Sequence, residues 1–244
     1  MTRNNNEVKQ LGIGTIVAYH LLPGVPILLL TILFANPTWG FGLPIFLSLM
    51  LAILFGLIPV QLGILIVVAR KQEVKIRDII SFKSKMSLGK TLAWSIPLLL
   101  FCIVSFGLLS TVEHPLWSFF DWVPEWFRLD RFDLGNVSKG MACLMLILGF
   151  LFNGVFGPYV EELYFRGFLL PRMNRLGKAA PLVNVVLFSI YHFFTPWENI
   201  TRIVALTPMV YGVWYNKNIR IGIIVHMALN IGSMVMMAIV VLGQ

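Results

Sequence analysis

Two adjacent acids, Glu161 and Glu162, directly follow residues 140–160, a run of 21 residues without a charged side chain. Ionisable side chains are costly at membrane depth, so acids at the edge of an apolar run indicate a functional site. On a helix, Glu162 lies four residues before Arg166, the order that favours an ion pair. Glu161 projects about 100° away from that pair. The spacing predicts one structural carboxylate and one free to exchange a proton; the alternative is a plain salt bridge with a solvated neighbour.

Two of the four histidines have a polar or aromatic residue one helical turn away, within otherwise apolar segments. Phe188 lies four residues before His192, and His226 lies four residues before Asn230, so each pair shares a helix face. A single buried histidine is more often a hydrogen-bonded core residue than a catalyst. The hypothesis of a site therefore depends on both histidines occurring together with Glu161 in the C-terminal half.

These residue types could activate water. Glu161 and His192 could polarise one water molecule as a general base. His226 and the Asn230 amide are donors of the kind that stabilise a developing oxyanion. Together they describe peptide hydrolysis without a covalent intermediate. In the metal-dependent alternative, the ligands of a zinc ion would be Glu161, His192 and His226, with water in the fourth position.

The elements that must position these residues are membrane helices. With 58% hydrophobic and 12% charged residues, the chain differs from a soluble domain of ordinary composition. Its apolar residues form runs that match the ~20 residues needed to cross a bilayer. The sequence predicts an all-α, polytopic transmembrane bundle of about seven to eight helices in one membrane domain, residues 1–244, with the helix of Glu161 as the eighth. The uncharged runs are 10–69, interrupted at 36–40, and 91–112, 140–160, 179–197, 203–216 and 221–244.

Charge asymmetry predicts the orientation. The loop 70–90 carries seven basic residues, whereas the loop 113–137 carries five acids and two arginines. Positive residues stay on the cytoplasmic side, so the N-terminus and the loop 70–90 are expected in the cytoplasm and the loop 113–137 outside. The span 140–160 then delivers Glu161 toward the cytoplasmic side. This distribution accounts for the net charge of +8, and no nucleic-acid partner is expected.

Three motifs, in this order along the chain, resemble those of the CPBP family, the CAAX proteases and bacteriocin-processing enzymes also called the Abi family. These are related to the type II CAAX prenyl endopeptidases. The resemblance covers roughly residues 140–240, taken as the catalytic core. The motifs are Glu161-Glu162-x-x-x-Arg166, Phe188-x-x-x-His192 and His226-x-x-x-Asn230.

The resemblance implies a multi-pass intramembrane endopeptidase of about eight helices in the cell membrane, with a cavity that opens to the cytoplasmic side. Glu162 and Arg166 would support the site. The catalytic residues would be Glu161, His192, His226 and Asn230. Family members are described both as metalloproteases and as metal-independent glutamate proteases. We favour the latter and expect no cofactor, with zinc as the alternative.

The expected partners are the lipid bilayer and a peptide or small membrane-protein substrate. Candidate substrates are a prenylated C-terminus, a bacteriocin or pheromone leader peptide, or another small membrane protein. Two other classes of function stay open. One is a non-catalytic immunity or peptide-binding membrane protein, and the other is a small transporter with a proton relay.

Overall fold

The computed structural model describes residues 8–132 and 137–242, and within them the all-α class is confirmed. The expected cytoplasmic N-terminus, residues 1–7, and Asp133 of the acidic loop lie outside the described residues. The α-helices are α1 Ile13–Leu21, α2 Gly24–Ala35, α3 Ile45–Ala52, α4 Ile58–Lys71, α5 Ile76–Ile79, α6 Leu88–Glu113, α7 Lys139–Leu148, α8 Gly157–Glu161, α9 Ala180–Ile190, α10 Asn199–Asn216 and α11 Ile219–Leu242. Three π-helical segments are Ile53–Leu57, Gly149–Phe156 and Glu162–Leu169. Segments of 3-10 helix are His114–Phe120, Glu125–Phe127, Leu129–Arg131, Leu170–Ala179 and Pro196–Glu198.

Five helical stretches of the described chain are long and apolar enough to cross a membrane, so the expected count of seven to eight is not confirmed. The difference arises partly because residues 140–160 and 179–197, predicted as separate spans, fall largely within one continuous helical stretch. The run 203–216 lies in α10, which is not among the five. The stretches are Ile13–Ala35, Ile45–Lys71, Leu88–Thr111, Lys139–Ile190 and Ile219–Val240.

Gly177 interrupts the long stretch Lys139–Ile190. Its φ of 53° and ψ of −129° are non-helical, and a residue with a side chain would be strained there. The chain changes direction at this glycine and continues as α9, which packs against both Leu170–Ala179 and α10. The two parts of one sequence stretch therefore contribute separate walls to the bundle interior.

The two ends of the bundle differ in composition. At the basic end, formed by residues 70–90, 167–178 and 217–220, backbone hydrogen bonds join Ser81 N to Gly167 O at 2.8 Å and Ile219 N to Phe82 O at 2.9 Å. The aromatic end is formed by residues 114–132 and 195–201. There Glu113 accepts hydrogen bonds from the backbone N and the Oγ1 of Thr201 at 2.7 and 2.5 Å. A carboxylate at the first turn of α10 is stabilised by the helix dipole, which fixes the start of α10 to the end of α6.

Candidate active site

Glu161 is the last residue of α8, and Glu162 begins the π-helical segment Glu162–Leu169. Glu162 Oε1 lies 3.0 Å from Arg166 Nη1, so the ion pair predicted from their spacing is present, and both side chains are fully buried. The Arg166 guanidinium also lies over the Phe188 ring, 4.1 Å from its centroid, in a cation–π arrangement. Glu162 and Arg166 are therefore held inside the protein.

His226 of α11 lies between the two carboxylates. Its Nδ1 is 3.0 Å from Glu162 Oε1, and its Nε2 is 3.7 Å from Glu161 Oε2. Because an ionised carboxylate only accepts hydrogen bonds, Nδ1 carries a proton and donates it to Glu162. The second ring nitrogen is thereby directed at Glu161. The sequence grouped His226 with Asn230 and did not indicate this contact with Glu162.

Gly222 allows α11 to approach Glu162. A Cβ at this position would overlap the Glu162 carboxylate and would lie 3.2 Å from Val213 Cγ2. We expect Gly222→Ala to displace the carboxylate from His226 and to lower the cleavage rate about a hundredfold, since a shift of about 1 Å at a site can cost that much. The rate of peptide cleavage by the purified variant measures this.

Gly107→Ala is the matched control for that variant. Gly107 lies within α6, and a Cβ there has no described atom within 4 Å, so the rate should stay within about twofold of wild type because no catalytic geometry changes. Equal rates for Gly222→Ala and Gly107→Ala would show that the contact between α11 and Glu162 does not matter for the reaction.

Tyr191 and His192 follow directly after α9. The buried Tyr191 hydroxyl donates a hydrogen bond to Glu161 Oε1, so Glu161 avoids Arg166 as predicted but does have a partner, which the sequence did not reveal. The Nδ1 of His192 lies 2.8 Å from the Phe188 carbonyl oxygen. Since a carbonyl oxygen only accepts, Nδ1 carries the proton and Nε2 of the neutral ring is the basic nitrogen.

Asn230 lies one turn after His226 on the same face of α11. Its Nδ2 donates a hydrogen bond to the Asn153 carbonyl oxygen at 2.9 Å. Asn153 belongs to the π-helical segment Gly149–Phe156, and such segments often occur at functional sites. A primary amide has two N–H groups, so one of them remains for another acceptor.

A cavity of about 690 Å³ brings these groups together. Glu161, His192, His226 and Asn230 all line it, whereas Glu162 and Arg166 lie behind its wall. Apolar residues form most of the rest of the lining. Among them are Phe46, Leu49, Ile53, Leu57, Phe106, Phe152, Met236 and Met237.

Residues 143–232 match the family model described as type II CAAX prenyl endopeptidase Rce1-like. Over these 90 residues, fewer than half of the 244 in the chain, the sequence is similar to this family of CAAX proteases. The matched residues include all three motifs, from Glu161 to Asn230. Comparison with curated proteins gave no match, and comparison with solved structures gave none. This similarity supports a membrane-embedded protease with a peptide substrate.

The cavity wall carries a second charged group that sequence reasoning missed. Arg202 Nη2 donates hydrogen bonds to Glu198 Oε2 at 2.5 Å and to Thr195 Oγ1 at 2.9 Å, and all three residues line the cavity. Glu198 and Arg202 have the same four-residue spacing as Glu162 and Arg166. This repeated four-residue spacing was the sequence signal from which the pair of Glu198 and Arg202 could have been predicted.

The alternative zinc set does not form in this arrangement. Within residues 8–132 and 137–242, no three His, Cys, Asp or Glu side chains are placed to hold a metal ion. Glu161 and His226 approach each other, but the Nδ1 of His226 is bound to Glu162, and His192 does not join them as a third ligand.

Proposed function

We propose that this protein is an intramembrane endopeptidase that hydrolyses a peptide bond of a membrane-associated substrate with water activated by Glu161 and His192. The observation that supports this proposal is the shared cavity. Side chains from α8, from the residues after α9 and from α11 meet at one end of it, although up to 69 residues separate them in the sequence. Such convergence of ionisable groups in an apolar cavity is typical of an active site.

The protons of the site can be assigned from its charges. His226 Nδ1–H donates a hydrogen bond to Glu162. A second N–H donor at Nε2 therefore requires the doubly protonated, cationic ring. In that state Arg166 and His226 carry two positive charges, and the two glutamates carry two negative charges. The buried group is then neutral overall, which limits the cost of burying it. Glu161 is ionised in this state and can accept a proton.

The reaction then follows from the positions of the donors and the bases. Glu161 or His192 Nε2 takes a proton from a water molecule, and the oxygen of that water attacks the carbonyl carbon of the substrate. The oxyanion that forms accepts hydrogen bonds from His226 Nε2 and the free N–H of Asn230. The base afterwards returns its proton to the leaving amine nitrogen as the carbon–nitrogen bond breaks.

The shape of the cavity favours a substrate with a long apolar part. Its polar end carries the four catalytic candidates, and its walls carry side chains such as Ile53, Phe106 and Met237. A prenyl chain or an apolar peptide segment could lie along these walls while the scissile bond reaches Glu161. The charged pair of Glu198 and Arg202 offers polar contacts for the substrate backbone in the same cavity.

Mass spectrometry of the host membrane peptidome tests the proposal and identifies the substrate. Cells with wild-type protein should contain a peptide product that is missing with Glu161→Ala, where the uncut precursor accumulates. Glu125→Gln is the control, because Glu125 is an exposed acid outside the cavity, and it should behave as wild type. Identical peptidomes for wild type and Glu161→Ala would contradict catalysis. Retained peptide binding without any product would instead favour the immunity or binding function.

A further inference from the structure

The cavity extends in one direction only from Glu161 along the described helices. On α11 the cavity lining continues from His226 through Asn230 and Ser233 to Met237. Each of these residues lies farther than the one before from the basic end, where α11 begins. On α6 it includes Ile103 and Phe106, in the half nearer the aromatic end. It reaches Leu129, which belongs to the aromatic end itself.

The opposite direction, from Glu161 toward the basic end, is densely packed. The side chains of the π-helical segment after Glu162 fill this space, and Ser81 of the basic loop is hydrogen-bonded to the backbone of Gly167 at 2.8 Å. These packed side chains separate Glu161 from a second cavity, of about 430 Å³, that Ser81, Phe82 and Lys217 help to line at the basic end. The side chains that are at most 1% exposed here are Tyr164, Phe165, Arg166, Phe168 and Leu169.

The charges of the two ends define which side of the membrane each one faces. Residues 70–90 carry seven basic residues and the two acids Glu73 and Asp78. Five more basic residues lie at the same end, namely Arg172, Arg175, Lys178, Lys217 and Arg220. The described part of the segment 114–132 carries three acids and two arginines. The positive-inside rule therefore places the basic end in the cytoplasm and the aromatic end on the other side.

The aromatic end forms a fixed rim around the cavity. Arg128 is 1% exposed, donates hydrogen bonds to Asp130 at 2.6 Å and to the Phe120 carbonyl at 2.9 Å, and lies over the Trp197 ring. The hydrogen bonds that Arg128 donates to Asp130 raise the pKa of Arg128 above its ordinary value, so it remains charged. Because Arg128 joins the segment of Leu129 to Trp197 beside Glu198 and Arg202, the rim is part of the folded structure.

We infer that the site receives its substrate from the non-cytoplasmic side of the membrane, so that the cleaved bond belongs to a peptide segment in the outer half of the bilayer. The inference rests on the proposed function for the existence of a substrate, and on the cavity and the charges for its direction. It departs from the cytoplasmic opening that the family resemblance implied. A chain presented only in the cytoplasm would meet the packed residues that follow Glu162.

Cysteine labelling tests this direction without requiring cleavage. In a background with Cys143→Ser, which keeps only the buried Cys102, one added cysteine replaces Ser233 in the cavity, Ser118 at the aromatic end or Lys85 at the basic end. A membrane-impermeant maleimide added to sealed, right-side-out membranes should label positions 233 and 118. Position 85 should react only after permeabilisation. Position 233 reacting only together with position 85, or under neither condition, would overturn the inference, as would labelling of position 85 in sealed membranes.

A pair of tethered peptides completes the test. Each carries the same candidate cleavage sequence on a single membrane anchor, placed on the non-cytoplasmic side in one and on the cytoplasmic side in the other. We expect at least about tenfold faster cleavage of the first, and faster cleavage of the second would overturn the inference. If the labelling is as expected and neither peptide nor any membrane peptide is cut, the direction of the cavity is supported and the protease function is contradicted.

Discussion

Glu161→Gln is expected to lower kcat/KM for peptide cleavage by at least about a thousandfold, within the range that general bases contribute. Glutamine has the size of glutamate, and its amide oxygen can still accept the hydrogen bond from Tyr191. It cannot take a proton from water or pair with a cationic His226. Initial rates of the purified variant in liposomes, with a peptide found in the membrane peptidome, measure the effect.

Tyr191→Phe separates the role of the base from that of its partner. It removes the hydroxyl that bonds to Glu161 and leaves the carboxylate in place, so we expect a loss of only about tenfold, the worth of about one hydrogen bond. Both variants should elute from size-exclusion chromatography as the wild type does. A Glu161→Gln enzyme as active as Tyr191→Phe would show that another group, with His192 as the first candidate, takes the proton.

The local pairs of the site were predictable because helix periodicity alone determines them. Glu162 with Arg166 is an example, since residues four apart meet on any helix whatever surrounds it. The contact of His226 with Glu162 was not predictable, because it depends on the close approach of α11 at Gly222. Tyr191 was missed for a similar reason, since its hydroxyl reaches Glu161 only through the packing of α9.

The number of spans and the direction of the cavity could not be predicted from the sequence either. Apolar runs indicate which residues can contact lipid, but not where a helix breaks within the membrane. Gly177 redirects the chain, so residues 140–160 and 179–197 lie largely in two helices on either side of a kink within one continuous helical stretch. Hydropathy also cannot distinguish the packed side of Glu161 from the side with the cavity. Phe165 and Phe152 contribute equally to the hydropathy of the chain, but only Phe152 lines the cavity.

The π-helical segments explain how a short element can carry Glu161, the candidate catalytic carboxylate. α8 has five residues, and it lies between Gly149–Phe156 and Glu162–Leu169. A π-helical turn contains an extra residue, which changes the direction of the side chains and leaves carbonyl groups with altered partners. The Asn153 carbonyl accepts a hydrogen bond from Asn230 in this way, and Glu161 and Glu162 point to different partners. The rotation of about 100° between neighbouring helical residues places one acid in the cavity and the other behind it, and the irregular backbone lets the Asn153 carbonyl bond to Asn230.

Arg166→Met is expected to lower the free energy of unfolding by about 3–5 kcal/mol, because it leaves Glu162 charged and buried without its main partner. Chemical denaturation in detergent measures this loss. The reverse variant, Glu162→Gln, should cost a similar amount, since it leaves the buried Arg166 guanidinium without the carboxylate charge at 3.0 Å. The double variant should lose less than the sum of the two, because no unpaired charge remains.

Arg131→Met is the matched control, since Arg131 also forms ion pairs with carboxylates but is 45% exposed. Water already screens such a pair, so its removal should cost no more than about 1 kcal/mol. If Arg166→Met proved no more destabilising than Arg131→Met, the pair with Glu162 would not be structural. Additive losses in the double variant would lead to the same conclusion.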